Sequence, residues 1–130
     1  MRSDSEVLLD ASALMAVVLD EPGGDLIGGR LERAHISPVN LAETIIGLER
    51  RGMPRDLVVE LLDALGLTIA PCTGETASVA ASIHAHTRKQ GLSLGDCFCL
   101  ATARALKAPV LTADRAWRRL DVGVAIEVVR

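Results

Sequence analysis

A chain of 130 residues, 49% hydrophobic and 24% charged, can bury its own core and is expected to fold as one globular domain over residues 1–130. The net charge of -3 and the 2% aromatic content, Phe98 and Trp117 with no Tyr, exclude a general nucleic-acid-coating protein and a base-stacking RNA-recognition or OB-type module. Cys72, Cys97 and Cys99 form no C-x-x-C pair, so neither a disulfide framework nor a zinc site is expected, and a reducing cytoplasm fits best.

Val7–Leu9 is a short apolar run ending at Asp10, the pattern of a buried strand. Ala11–Leu19 reads as an apolar helix, stopped by Glu21-Pro22-Gly23-Gly24. An amphipathic helix is expected over Asp25–Arg33 and a short strand over His35–Ser37. A helix from Leu41 to about Arg51 follows Pro38, and another runs from Pro54 to Leu65. Leu67–Ala70 is a strand candidate, and Thr73 to Gln90 a long Ala-rich helix ending at Gly91. The spacing then predicts a helix over Ser93–Leu106, a strand over Val110–Thr112, a short helix over Arg115–Leu120 and a last strand over Val124–Val129. Strands alternating with helices predict a three-layer α/β/α domain with a mostly parallel sheet. No apolar stretch approaches a membrane span, and MRSDSEVLLD carries no signal-peptide run.

Four acids stand where an apolar run gives way to a helix, or in a helix's first turn. They are Asp10 in LLDASAL, Glu43 in SPVNLAE, Asp96 in SLGDCFCLATA and Asp114 in VLTADRAW. Each has a structural explanation. Asp10 and Asp114 suit N-caps, Ser93-Leu94-Gly95-Asp96 a capping box, and Asn40-Leu41-Ala42-Glu43 the same device with an Asn cap. As a set they suggest more. Asp10, Asp114 and Asn40 follow expected strands, so their helices would start at one edge of a parallel sheet, where α/β proteins bind ligands. Clustered carboxylates need neutralising, and hard oxygen donors select Mg2+ or Mn2+. Ser12 and Thr112, each two residues from an acid, could orient a carboxylate or hold a water. Asn40, Glu43, Gly47 and Arg50 share a helix face, with a gap at Gly47, while Leu41, Ile45 and Leu48 form the core stripe. Glu75 also starts a helix after a strand, and residue type alone does not separate it from the four.

Sequence context does. The segments LLDASALMAVVLDEPG, ISPVNLAE and LSLGDCFCLATARALKAPVLTADRAW, in that order, closely resemble the PIN-domain ribonucleases, specifically the VapC-type toxins of toxin–antitoxin pairs. The resemblance runs over nearly the whole chain. It implies a PIN fold with strand order 3-2-1-4-5 and an acidic metal site made of Asp10, Glu43, Asp96 and Asp114, with Ser12, Asn40 and Thr112 in supporting polar positions. Glu75 has no counterpart in that motif, and its strand is implied to lie at an edge of the sheet. The implied activity is Mg2+- or Mn2+-dependent hydrolysis of RNA by an endoribonuclease, with water attacking in line to leave a 5′-phosphate and a 3′-hydroxyl. The implied partners are a VapB-like antitoxin and a second copy of the chain in a homodimer. Helices over Asp25–Arg33 and Leu41–Leu65 are candidate docking surfaces.

Phosphate contacts would come from Arg50 and Arg115, the arginines nearest the acidic edge; Arg51, Arg55, Arg118 and Arg119 are expected on the solvated surface. His84 and His86, two apart on a helix, cannot share a metal from one face, and neither they nor His35 is a catalytic candidate. Cys97, Phe98, Cys99 and Trp117 read as packing residues. The alternatives are a solitary PIN-type nuclease without antitoxin, a haloacid-dehalogenase-like phosphatase, a receiver-like signalling domain, and a structural protein whose acids are all caps. Asp10-Ala11-Ser12 lacks the D-x-D of that phosphatase, and Leu9-Asp10 with Ala70-Pro71 lacks the receiver's paired acids and its later Asp.

Overall fold

The structure, a computed structural model, describes residues 6–130. Residues 1–5, part of the MRSDSEVLLD stretch on which the signal-peptide expectation rests, lie outside it. Five strands, β1 (Val7–Leu9), β2 (Ala34–Ile36), β3 (Thr68–Ile69), β4 (Val110–Thr112) and β5 (Ile126–Val128), form one sheet in the order β3-β2-β1-β4-β5. Every pairing is parallel, with Leu9 opposite Ile36 on one side and Leu111 on the other. The expected sheet was mostly parallel; the observed one is wholly so, because each strand is reached by a helical crossover and none by a hairpin turn.

Alternation along the central strand sorts the helices into layers. Val7 and Leu9, with Ala34, Ile36 and Leu111, face a core shared with α1 (Ala11–Val18), α2 (Gly24–Gly28), α3 (Pro38–Arg50) and α4 (Arg55–Ala64). Leu8 and Val110 face the opposite core, built from α5 (Gly74–His86), α6 (Leu94–Leu106) and Trp117. Near-continuous apolar strands are what a sheet covered on both faces requires. Both Thr68 and Ile69 of β3 are exposed, as befits an edge.

Several boundaries differ from expectation for local reasons. The Asp25–Arg33 helix is broken at Gly28-Gly29 into α2 and a 3-10 turn over Leu31–Arg33. The Thr73–Gln90 helix stops at His86, with a separate 3-10 turn over Arg88–Gln90 before Gly91 at φ 67°. Arg115–Arg119 is also 3-10, and the last strand keeps only Ile126–Val128. α3 starts three residues earlier than expected, at Pro38, with Ser37 as its cap; proline suits a first helical position, where its missing N–H is no loss. After α1 the chain turns through Gly23 at φ 94°, where a side chain would strike the Val129 carbonyl. Arg130 secures the same turn by donating from Nε to the Pro22 carbonyl at 3.1 Å. Among the described residues no helix is long and apolar enough to cross a membrane.

Candidate active site

Parallel strands bring Asp10, Ser37 and Thr112 to one edge, since each follows or ends a strand at its C-terminal end. Asp10 leaves β1 and caps α1. Its Oδ1 accepts from the Ala13 amide at 2.8 Å and from Ser12 Oγ at 2.7 Å, and its Oδ2 accepts from Thr112 Oγ1 at 2.5 Å. The side chain is buried, and burial lifts its pKa from 3.8 to about 6. The hydrogen bonds from Thr112, Ala13 and Ser12 oppose that rise, while the negative charge of Asp96 adds to it.

The two hydroxyls join Asp10 to the last acid. Thr112 Oγ1 accepts from the Asp114 amide at 3.0 Å, and Ser12 Oγ accepts from the Ala113 amide at 2.9 Å. Both protons are committed to Asp10, so the 3.2 Å approach of Ser12 Oγ to Thr112 Oγ1 is a contact between filled donors. Asp114 is exposed and caps the following 3-10 turn, with Oδ1 accepting from the Ala116 amide at 2.9 Å.

Asp96 forms the capping box read from the sequence. Its amide donates to Ser93 Oγ at 3.1 Å, and its Oδ2 accepts from the Ser93 amide at 3.0 Å. The Asn40 reading is corrected. With Ser37 capping α3, Asn40 sits in the helix's first turn, buried, its Nδ2 donating to Glu43 Oε1 at 2.9 Å and to the Gly95 carbonyl at 3.0 Å. Ser37 Oγ donates to Asn40 Oδ1 at 2.5 Å and fixes the amide's orientation. Ser37 and Gly95 were missed as site residues. The Ser-Pro pair signals the first; only the packing of α3 on α6 shows the second.

The charges of three of the acids act on one buried thiol. Burial pushes the Cys99 thiol well up, and the charges of Asp10, Asp96 and Glu43 push it further. Cys97 is raised as well, first by burial and then by Asp96. Both thiols stay protonated and serve as packing, in line with their expected role. Asp96, Asp114 and Glu43 each have one oxygen held by a hydrogen bond and a second with no protein partner among the described residues. Among those residues no three His, Cys, Asp or Glu side chains are drawn into a closed ligand cluster. The acids frame the edge without collapsing onto each other, as like charges at close range require. The donor set fits a hard divalent cation: carboxylate oxygens, with buried Asp10 held at a raised pKa partly by its negative neighbour.

The remaining candidates fall as follows. The gap at Gly47 is filled by Met15, whose Cε lies 3.2 Å from the position of a Cβ. Arg50 is exposed near the end of α3 and has no ion-pair partner among the described residues, whereas Arg55 forks onto Glu49 at 2.7 and 2.9 Å and Arg51 turns back to the Gly47 carbonyl. Arg115 is exposed, and its Nε donates to the Arg130 carbonyl at 3.3 Å. Glu75 lines a groove with Thr73, Ala101, Arg104 and Ala105, beside the C-terminal half of α6 and away from Asp96. Trp117 is 1% exposed in the core, so it offers no stacking surface. His84 and His86 are exposed, and His35 Nε2 lies 2.8 Å from Glu6.

A five-stranded parallel sheet in this order, with helices on both faces and acids at its C-terminal edge, defines a three-layer α/β/α class of protein. A family model described as PIN domain matches residues 7–123. Ribonuclease VapC of Mycolicibacterium smegmatis is 29% identical over 125 residues, covering 89% of this chain and 97% of that protein. Ribonuclease VapC42 of Mycobacterium tuberculosis is 31% identical over 115 residues, covering 81% of this chain and 88% of its own length. Among solved structures, DNA-bound VapBC from Salmonella typhimurium superposes with a TM-score of 0.75 at 18% identity, covering 97% of this chain and 99% of that one. The chain belongs to the PIN-domain family, in its VapC-type branch.

Proposed function

We propose that the protein is a divalent-metal-dependent endoribonuclease toxin of the cytoplasm, held in check by a VapB-like antitoxin. The observation that carries this reading is the hydrogen-bond network at the C-terminal edge of the sheet: Thr112 joins Asp10 to Asp114, and Asn40 joins Glu43 to Gly95, the residue before Asp96. Relatives named as ribonucleases and fold neighbours solved as VapBC complexes support it.

Asp10, Glu43, Asp96 and Asp114 would hold one or two Mg2+ or Mn2+ ions. When bound, such an ion supplies charge neutralisation for a phosphodiester and a lowered pKa for an attacking water. The chain's own residues do the rest. Ser12, Thr112 and the Ala13 amide fix both oxygens of Asp10, so its carboxylate presents a set direction. The Ser93 and Ala116 amides do the same for one oxygen each of Asp96 and Asp114, leaving the other to accept from water or ligate. Asn40 holds Glu43 by Oε1, leaving Oε2 without a protein donor among the described residues. The helix N-termini at this edge favour anionic side chains and phosphate alike. Arg50 and Arg115 are the proposed phosphate contacts at its rim. Ile46 on α3 and Leu57 and Val59 on the two flanks of α4, all exposed, support a homodimer.

The test is cleavage of a defined RNA by wild type and Asp96→Asn, with Mg2+, Mn2+ or EDTA. The asparagine keeps an oxygen for the Ser93 amide, so the fold is retained. Cleavage leaving 5′-phosphate ends in wild type, lost in the variant and in EDTA, is expected. Full activity in either condition refutes the metal-nuclease reading. A small open reading frame directly upstream is expected, whose co-expression relieves growth arrest; its absence, or its failure to do so, removes the antitoxin from the proposal.

A further inference from the structure

α6 opens as Leu94-Gly95-Asp96 after its cap Ser93. Gly95 is buried, and a Cβ placed on it would lie 2.5 Å from both Cδ and Oε1 of Glu43 and closer still to Oε2. That is far inside van der Waals contact, so the Glu43 carboxylate occupies the space a methyl group would take. Asn40 binds the two together, donating to Glu43 Oε1 at 2.9 Å and to the Gly95 carbonyl at 3.0 Å. Both contacts come from one buried amide whose oxygen is itself held by Ser37.

Backbone conformation does not demand glycine at this position. The positive-φ glycines are Gly23, Gly52, Gly66, Gly91 and Gly123, and Gly95 is not among them. In the first turn of a helix alanine is the better residue, because glycine loses more chain entropy on folding. Helix energetics alone would therefore replace Gly95 with alanine. What the glycine provides is room for a carboxylate from another helix, one residue before Asp96. The obstacle to a side chain is the flexible end of Glu43, which can swing away. A methyl group would therefore displace that carboxylate while leaving the helix whole.

We propose that Gly95 is a positioning residue of the acidic site: its bare Cα is the seat of the Glu43 carboxylate, and any side chain there drives Glu43 out of reach of the other acids. The inference deepens the metal-nuclease reading, on which its metal-affinity readout rests. Its structural readout does not depend on that reading.

Three variants decide it: Gly95→Ala, Glu43→Asp and the pair combined. Gly95→Ala is expected to unfold at or above the wild-type temperature. A crystal structure of that variant is expected to lack the Asn40–Glu43 hydrogen bond, and calorimetric titration with Mn2+ alone to show binding weakened about tenfold or more. Glu43→Asp draws the carboxylate back by one methylene and clears the space. In that background Gly95→Ala is expected to change Mn2+ affinity by less than about threefold, a coupling that a purely structural glycine would not produce. Retention of the Asn40–Glu43 bond beside the alanine overturns the proposal, as does an equal loss of Mn2+ binding in both backgrounds. Wild type that neither binds Mn2+ nor cuts RNA would defeat the nuclease reading, while the crystal structure still decides the seat. Wild type that does both, with Gly95→Ala unchanged, would defeat the positioning role alone.

Discussion

Asp10 is the residue at which the site works against the fold, and Asp10→Asn should expose that conflict. Burial raises its carboxyl from 3.8 to about 6, so the folded chain holds a proton there across a window in which the unfolded chain has lost it. The stability this group contributes is fully present below pH 3.8 and is lost as pH rises through about 6. The ionised side chain thus costs about 3 kcal/mol at neutral pH without a cation, at the rate of about 1.4 kcal/mol for each tenfold change in proton affinity. Asparagine removes the charge and keeps the shape. Its oxygen retains the Ser12 and Ala13 donors, and its amide nitrogen then faces Thr112 Oγ1. That hydroxyl can turn its proton to Ser12 Oγ, which lies 3.2 Å away, and accept from the new amide. The hydrogen bonds that favour the charge already oppose the rise to about 6, so they are contained in that cost. A stabilisation of about 2–3 kcal/mol is expected, or roughly 6–12 °C in Tm for a domain of this size. The assay is thermal unfolding of both proteins in EDTA from pH 4 to pH 8. The asparagine variant should melt higher at pH 7.5, and its advantage should vanish by pH 4. Saturating Mn2+ should raise the melting temperature of wild type only. A variant that is less stable at pH 7.5, or a difference that does not change with pH, would refute the reasoning.

Two further predictions bear on roles read from the sequence. Trp117→Ala should cost about 3–5 kcal/mol in urea unfolding, since the ring is 1% exposed; a loss below about 1 kcal/mol would place it outside the core. Arg50→Ala should leave the melting temperature unchanged while raising KM for RNA and reducing the slope of log KM against log salt by about one phosphate contact; an unchanged salt slope would remove Arg50 from the RNA path.

The order of elements was legible because the strands are short, mostly apolar and, but for the last, followed within a few residues by a helix signal. Val7–Leu9 and Val110–Thr112 came out with the bounds the structure shows. Boundaries failed where a local rule was misapplied. Asn40 was taken as a cap from its spacing to Glu43, yet Ser37-Pro38 is the stronger start signal, and the true cap frees Asn40's amide to bridge two helices. The Asp25–Arg33 pattern was amphipathic, but Gly28-Gly29 breaks a helix that neighbouring turns do not support. Cys97 and Cys99, read as packing residues, are both 0% exposed, because the middle of α6 packs between the sheet, α5 and α3.

The acids were legible for a reason that also explains why none was decisive alone. Asp10, Asp96 and Asp114 do cap helices, so the structural and chemical readings describe the same side chains. A capping bond uses one carboxylate oxygen and fixes the direction of the other. At the C-terminal edge of a parallel sheet it therefore helps pre-organise a ligand, alone for Asp114 and together with Ser12 and Thr112 for Asp10. Glu43 is the exception, lying beyond the first turn of α3 with no backbone amide to hold it. It needs an amide from Asn40 and a seat on Gly95, which no spacing rule reveals. The acid anchored by side chains rather than by backbone is thus the one whose environment only the folded chain shows, and the one most open to displacement by a single methyl group.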